Sequence, residues 1–185
     1  MEALKIRVED LNDEKIKSLA AGDSVLLSGV IYTARDAAHE RMVKNYEKGI
    51  DFPFDIKGQA IYYAGPCPAK PGEVIGSCGP TTAGRMDAYT PLLLDKGLKI
   101  MIGKGARSSE VVDAIRRNNC VYLGAIGGAG ALIAECIKKV RVIAYDDLGT
   151  EAIREMYVED FPCTVLIDSD GNNIYEIGQE KYREI

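Results

Sequence analysis

The sequence predicts an α/β fold, one domain over residues 1–185 with a mixed sheet flanked by helices. Two observations carry this reading. From Thr90 onward, apolar runs of strand length alternate with segments of helical periodicity, the pattern of strands joined by helical crossovers. The 185 residues, 46% hydrophobic and 28% charged, suffice for one core, and no stretch has the composition of a linker.

Taken in order, residues 10–20 read as a short charged helix and residues 23–32 as a largely buried strand ending in a polar loop, with Arg35 just beyond. Residues 36–48 place Ala37, Ala38, Met42, Val43 and Tyr46 at helical spacing, and Gly49 closes that helix. Residues 59–64 read as a strand leading into a Gly/Pro-rich stretch at 65–72. Then come a helix at 91–96, a strand at 98–102, a helix at 108–117, a strand at 120–123, a helix after Gly130 and a strand at 140–145. Near the C-terminus, residues 164–167 and 173–175 flank Asp168-Ser169-Asp170-Gly171-Asn172, which predicts a hairpin.

A net charge of −5 argues against nucleic acid as a partner. The first residues lack the apolar core of a signal peptide and no run reaches the roughly 18 apolar residues of a membrane span, so the sequence predicts a cytoplasmic protein without membrane contact. The five cysteines (67, 78, 120, 136 and 163) are scattered and form no Cys-x-x-Cys pair, so they read as free thiols and none as a metal ligand.

The richest segment is Gly79-Pro80-Thr81-Thr82-Ala83-Gly84-Arg85-Met86-Asp87. Gly79-Pro80 stops a preceding element, Thr81 or Thr82 suits a helix N-cap, and a helix through Arg85 would turn unpaired N–H groups and a guanidinium toward an anion. Taken alone, such a segment is more often an ordinary capped helix with a surface arginine. Its company is more telling. Arg35 and Lys104 also follow strands, each beside small residues, and three separated cations suit a dicarboxylate held at both ends.

This segment, together with Ala34-Arg35-Asp36-Ala37-Ala38-His39, Gly103-Lys104-Gly105, Tyr122 to Gly128 and Val158-Glu159-Asp160-Phe161-Pro162, resembles the C-terminal region of class I fumarases. It also resembles the separate β subunit of two-subunit fumarases and of L-tartrate dehydratase. The resemblance implies a swivelling β/β/α domain and a hydro-lyase of the tricarboxylic acid cycle that interconverts fumarate and L-malate. It further implies an oxygen-sensitive 4Fe-4S cluster on a partner α subunit, with none bound by this chain alone, and an α2β2 assembly. Within that pattern Thr81 takes the place of the proton-abstracting group, and Arg35, Thr81, Arg85 and Lys104 those of the substrate binders.

Asp36 and His39 read as supporting residues, Asp36 orienting a cation or capping its helix and His39 steadying Arg35. Asp87 and Met86 read as packing and helix support. L-Tartrate or mesaconate would use the same carboxylate clamps as fumarate. Two readings from other classes stand beside these: a nucleotide-binding module built on the glycine loop Gly124 to Gly130, and a noncatalytic regulatory partner.

Overall fold

Side chains alternate between the two faces of each strand, and the strands Ala60–Tyr62 and Ile100–Gly103 are buried at every position, so both faces of the sheet are covered there. The computed structural model of the chain describes residues 3–180. Its seven strands are β1 (Leu4–Arg7), β2 (Ser24–Thr33), β3 (Ala60–Tyr62), β4 (Ile100–Gly103), β5 (Val121–Gly124), β6 (Ile137–Ala144) and β7 (Ile153–Ile167). The six α-helices are α1 (Asp13–Lys17), α2 (Asp36–Glu47), α3 (Thr90–Asp95), α4 (Ser109–Asn118), α5 (Gly130–Cys136) and α6 (Ile174–Glu180).

The sheet order is β1-β2-β3-β4-β5-β7-β6, and β7 also pairs with β2. Strands β2, β3, β4, β5 and β7 therefore close into a ring, with β1 and β6 as outer edges. Neighbours from β1 through β5 run parallel, while β7 runs antiparallel to β2, β5 and β6. The mixed sheet flanked by helices predicted from the sequence is thus present, and the ring closure is the added feature.

Val25, Leu27, Tyr62, Ile100, Ile102, Val121, Leu123 and Phe161 form one core on the inner face, where a ring this small has room only for side chains. There Tyr62 and Phe161 meet edge to face, with centroids 5.2 Å apart. The alternate residues Ile61, Tyr63, Met101 and Tyr122 face outward against Ala38 and Met42 of α2, Leu93 and Leu94 of α3, and Val111, Ala114 and Ile115 of α4. On α4 these fall at i, i+3 and i+4, one stripe of the helix. Each fully buried Leu, Ile or Met contributes about 1.5–3 kcal/mol.

Strand β7 keeps its phase across a bulge. Leu27 pairs with Phe161 while Gly29 pairs with Val158, so β7 carries the extra residue. Asp160 sits there at φ 48°, its N–H donating to Ser28 Oγ at 3.0 Å. Without that inserted residue, Met156 and Val158 could not share the inner core with Phe161, Cys163 and Val165.

Two expectations need correction. The predicted C-terminal hairpin is a turn followed by α6. Asn173 forms a single bridge with Ile167, then accepts the Tyr175 N–H on Oδ1 at 3.1 Å and donates to Glu176 Oε1 at 3.0 Å. That arrangement is a helix cap, and it diverts the chain from the sheet. The helix predicted through Arg85 is a short 3-10 turn, Ala83–Met86, and Thr82 at its start makes no side-chain cap bond.

Candidate active site

The parallel strands end in register. Thr33 pairs with Tyr62, Tyr62 with Ile102, and Gly103 with Gly124, so four chain segments leave the ring side by side along one rim. Ligand loops gather at the C-terminal ends of parallel strands, and all the candidate binding residues lie on these segments. Arg35 follows β2, Thr81 and Arg85 lie on the excursion after β3, Lys104 follows β4, and the glycine loop at 124–130 follows β5.

Backbone pairing fixes the Thr81 segment. The Thr81 N–H donates to the Tyr63 carbonyl at 2.7 Å and the Ala83 N–H to the Lys104 carbonyl at 2.9 Å, with Thr82 bridged to Lys104. These amides are spent on the scaffold, so the expected corner of free N–H donors is not formed by them. The same bonds bring Thr81 and Lys104 onto adjacent segments. Lys104 lies over the glycine loop: a Cβ built on Gly127 would stand 3.8 Å from its Nζ. Tyr122 Oη donates to the Gly105 carbonyl at 3.0 Å and holds the turn that carries the lysine.

Asp36 ties the two arginines together. Its Oδ2 accepts from Arg85 Nη2 at 2.6 Å, and its Oδ1 lies 3.7 Å from Arg35 Nε. That Oδ1 and that Nε are both buried without a hydrogen-bond partner. Arg85 is about half exposed, at 49%, and Lys104 is exposed, so this cationic rim opens outward.

His39 is fully buried one turn along α2. The Arg35 carbonyl accepts both the His39 N–H at 2.8 Å and the ring Nδ1–H at 2.9 Å. A carbonyl can only accept, so the ring proton sits on Nδ1 and Nε2 carries the lone pair. Burial pushes the imidazole pKa down to about 4, partly offset by the bond to Arg35, so the ring is neutral near pH 7. Its contacts anchor the backbone of Arg35.

Two residues were not foreseen as part of this region. Arg107 is buried between the rings of Tyr63 and Tyr122, with its guanidinium carbon 5.3 and 4.9 Å from their centroids. Its Nε donates to Asp87 Oδ1 at 2.7 Å and its Nη2 to Thr90 Oγ1 at 2.9 Å, while Asp87 Oδ2 accepts the Ser108 N–H at 2.6 Å. Asp87 thereby locks the Thr81 segment to the Lys104 turn. The only sequence signal was a second cation three positions past Lys104, and nothing local marks it as buried. The other unforeseen residue is Glu151, which lies 3.2 Å from Arg35 Nη2 and comes from a distant part of the chain.

Among the described residues, no group of three or more His, Cys, Asp or Glu side chains could hold a metal ion. Cys78, Cys120 and Cys163 are buried, and burial raises their thiol pKa values, to about 12 for Cys78 and Cys120. No helix among the described residues is long and apolar enough to cross a membrane.

Arg35, Arg85 and Lys104 thus share one rim of an α/β domain, with small residues between them. The chain belongs to the Fumarase C-terminus family, which it matches over residues 1–178. It is 45% identical over 152 residues to the anaerobic class I fumarate hydratase of Escherichia coli (strain K12), covering 81% of this chain and 28% of that protein. To fumarate hydratase 2 of Leishmania major it is 40% identical over 164 residues, covering 88% and 29%. To the putative L(+)-tartrate dehydratase subunit beta of Methanocaldococcus jannaschii it is 38% identical over 180 residues, covering 94% and 92%. The chain thus spans less than a third of those fumarate hydratases and nearly the whole of that subunit.

Proposed function

We propose that this chain is the beta subunit of a two-subunit iron-sulfur fumarate hydratase and supplies the carboxylate-binding half of its active site. The observation that carries the reading is the open rim on which Arg35, Thr81, Arg85 and Lys104 stand on neighbouring segments, with Asp36 tying the two arginines together. The beta-subunit relative of nearly equal length supports a two-chain enzyme, and the relatives named fumarate hydratase, at 40–45% identity, favour fumarate as the substrate.

In this reading the guanidinium forks of Arg35 and Arg85 bind substrate carboxylate, and Lys104 binds the other carboxylate or the hydroxyl. Two fixed ends orient the central carbons, which turns binding energy into alignment. Thr81 takes the proton from the carbon next to the one bearing the hydroxyl. A threonine hydroxyl is a weak base at neutral pH, so this role requires a neighbouring group to draw off its proton, either Lys104, on the segment bridged to Thr82, as the unprotonated amine, or a water. The 4Fe-4S cluster, held by the alpha subunit in an α2β2 assembly, supplies when bound a Lewis acid for the substrate hydroxyl.

The test is anaerobic reconstitution with the alpha subunit, followed by parallel assays on fumarate, L-tartrate and mesaconate. Turnover of fumarate in preference to the others supports the proposal, and preference for L-tartrate would reassign the substrate in line with the Methanocaldococcus relative. No turnover of any of the three would sink the enzyme reading. In the assembled enzyme, Thr81→Ala is expected to lower kcat by roughly 10²- to 10⁴-fold with KM little changed. Near-normal kcat would remove Thr81 from the proton transfer.

A further inference from the structure

We infer that Glu151, which sequence reasoning did not single out, is a positioning residue for Arg35, holding its guanidinium on the rim before substrate arrives. The inference rests on the proposed function only for the identity of the ligand; the contacts stand by themselves.

Glu151 ends a 3-10 segment, Asp146–Glu151, between β6 and β7. One carboxylate oxygen lies 3.2 Å from Arg35 Nη2, and the other accepts the Ala37 N–H at 3.0 Å. A single side chain therefore holds both the arginine and the first turn of the helix that begins beside it. The opposite side of Arg35 is closed by Gly65, where a built Cβ would fall 2.8 Å from Nη1 and 3.1 Å from Cδ. Asp36 cannot substitute for Glu151, because its short bond goes to Arg85 and its approach to Arg35 Nε is 3.7 Å.

The segment that presents Glu151 is itself pinned. Arg154 donates to the carbonyls of Gly149 at 2.8 Å and of Thr150 and Ala152 at 3.1 Å each, and its own N–H bonds Thr33 Oγ1 at 3.2 Å. Farther along α2, Arg41 forms a two-pronged pair with Asp147 at 2.7 and 2.8 Å. The segment thus straps across α2 at two points, and Glu151 is the point that touches the rim. A long arginine side chain loses rotamer freedom on binding a ligand, and a carboxylate that has already fixed it removes that loss from the binding step.

The helix-cap contact and the ion pair separate by substitution. Glu151→Gln keeps an oxygen for the Ala37 N–H and removes the charge that holds Arg35, whereas Glu151→Ala removes both. In the enzyme assembled with its alpha subunit, Glu151→Gln is expected to raise KM roughly tenfold, as the loss of one charge-assisted contact implies, with kcat within about twofold. Arg41→Gln cuts the other tether of the strap and is expected to leave KM unchanged.

A second readout is the ¹⁵N signal of the Arg35 Nε–H in the chain alone. It should be restrained in the wild type and averaged toward the free-arginine position in Glu151→Gln. If Glu151 only capped α2, Glu151→Gln would match the wild type in both KM and signal, and that result overturns the inference. Should the wild-type assembly turn over no substrate, the proposed function fails, and the ¹⁵N comparison still decides the role of Glu151.

Discussion

Removing the charge of Asp87 tests whether the Thr81 segment and the Lys104 turn are locked by one buried ion pair. Arg107 has a fully buried side chain and Asp87 one that is 14% exposed, so Asp87→Asn keeps the shape and strands a guanidinium out of water. Breaking such a pair by removing one partner costs about 3–5 kcal/mol. Thr90 Oγ1 and the faces of Tyr63 and Tyr122 remain to Arg107, so the lower end applies, about 3 kcal/mol. For a chain of this length, 1 kcal/mol moves the melting temperature by about 2–4 °C, which gives a fall of roughly 6–12 °C. Thermal unfolding of the chain alone, followed by far-UV circular dichroism, measures this directly. Adding Arg107→Met to Asp87→Asn removes the stranded charge and should restore most of the loss, as a double-mutant cycle would show. A melting temperature for Asp87→Asn within about 2 °C of the wild type would refute the argument that this pair joins the two segments.

Two further outcomes follow from the same rim. Burial holds His39 neutral, with its pKa lowered to about 4 against about 6.5 when unfolded. Above pH 6.5 both states are neutral and the stability is fully present; as pH falls from 6.5 toward 4 the unfolded chain takes up the proton first, and stability drops by on the order of 3 kcal/mol. Urea midpoints at pH 7.5 and pH 5 read this, and His39→Gln should flatten the difference in that window; an unchanged slope would assign it to other groups. Gly103→Ala is expected to cost about 1–3 kcal/mol, because its Cβ would fall 2.8 Å from Tyr63 Cδ2 while that ring is held by His39 and Arg107. Gly127→Ala, whose Cβ meets only Lys104 at 3.6 Å, is the comparison that should unfold like the wild type.

What the sequence disclosed divides along the distance over which each feature is decided. The helices at 36–48, 91–96 and 108–117 emerge within a residue or two of α2, α3 and α4, because apolar stripes and terminal glycines act within a few residues. Residues 153–163 of β7 went unassigned. The strand's 15 residues include Glu155, Glu159, Asp160 and Pro162, which disfavour a strand locally, and besides the preceding β6 its pairing is with β2 and β5, which are more distant in sequence. The false hairpin shows the converse. Asp168-Ser169-Asp170-Gly171-Asn172 is sound turn chemistry, but Asn173 and Glu176 are spaced as a helix cap, and that local signal was the one to follow.

The candidate site obeys the same division. Arg35, Thr81, Arg85 and Lys104 could be picked out because each follows a strand or a Gly-Pro stop, and those are local marks. That they share a rim is a consequence of register, since Thr33, Tyr62 and Gly103 end adjacent parallel strands. The residues that hold them, Asp87 with Arg107 and Glu151 with Arg35, pair across loops that only the closed ring brings together. A cation that binds substrate must stand beside small residues and near solvent, and sequence can record that. The carboxylate that aims it needs only to be within about 3 Å, from any part of the chain, so its position is written in the fold.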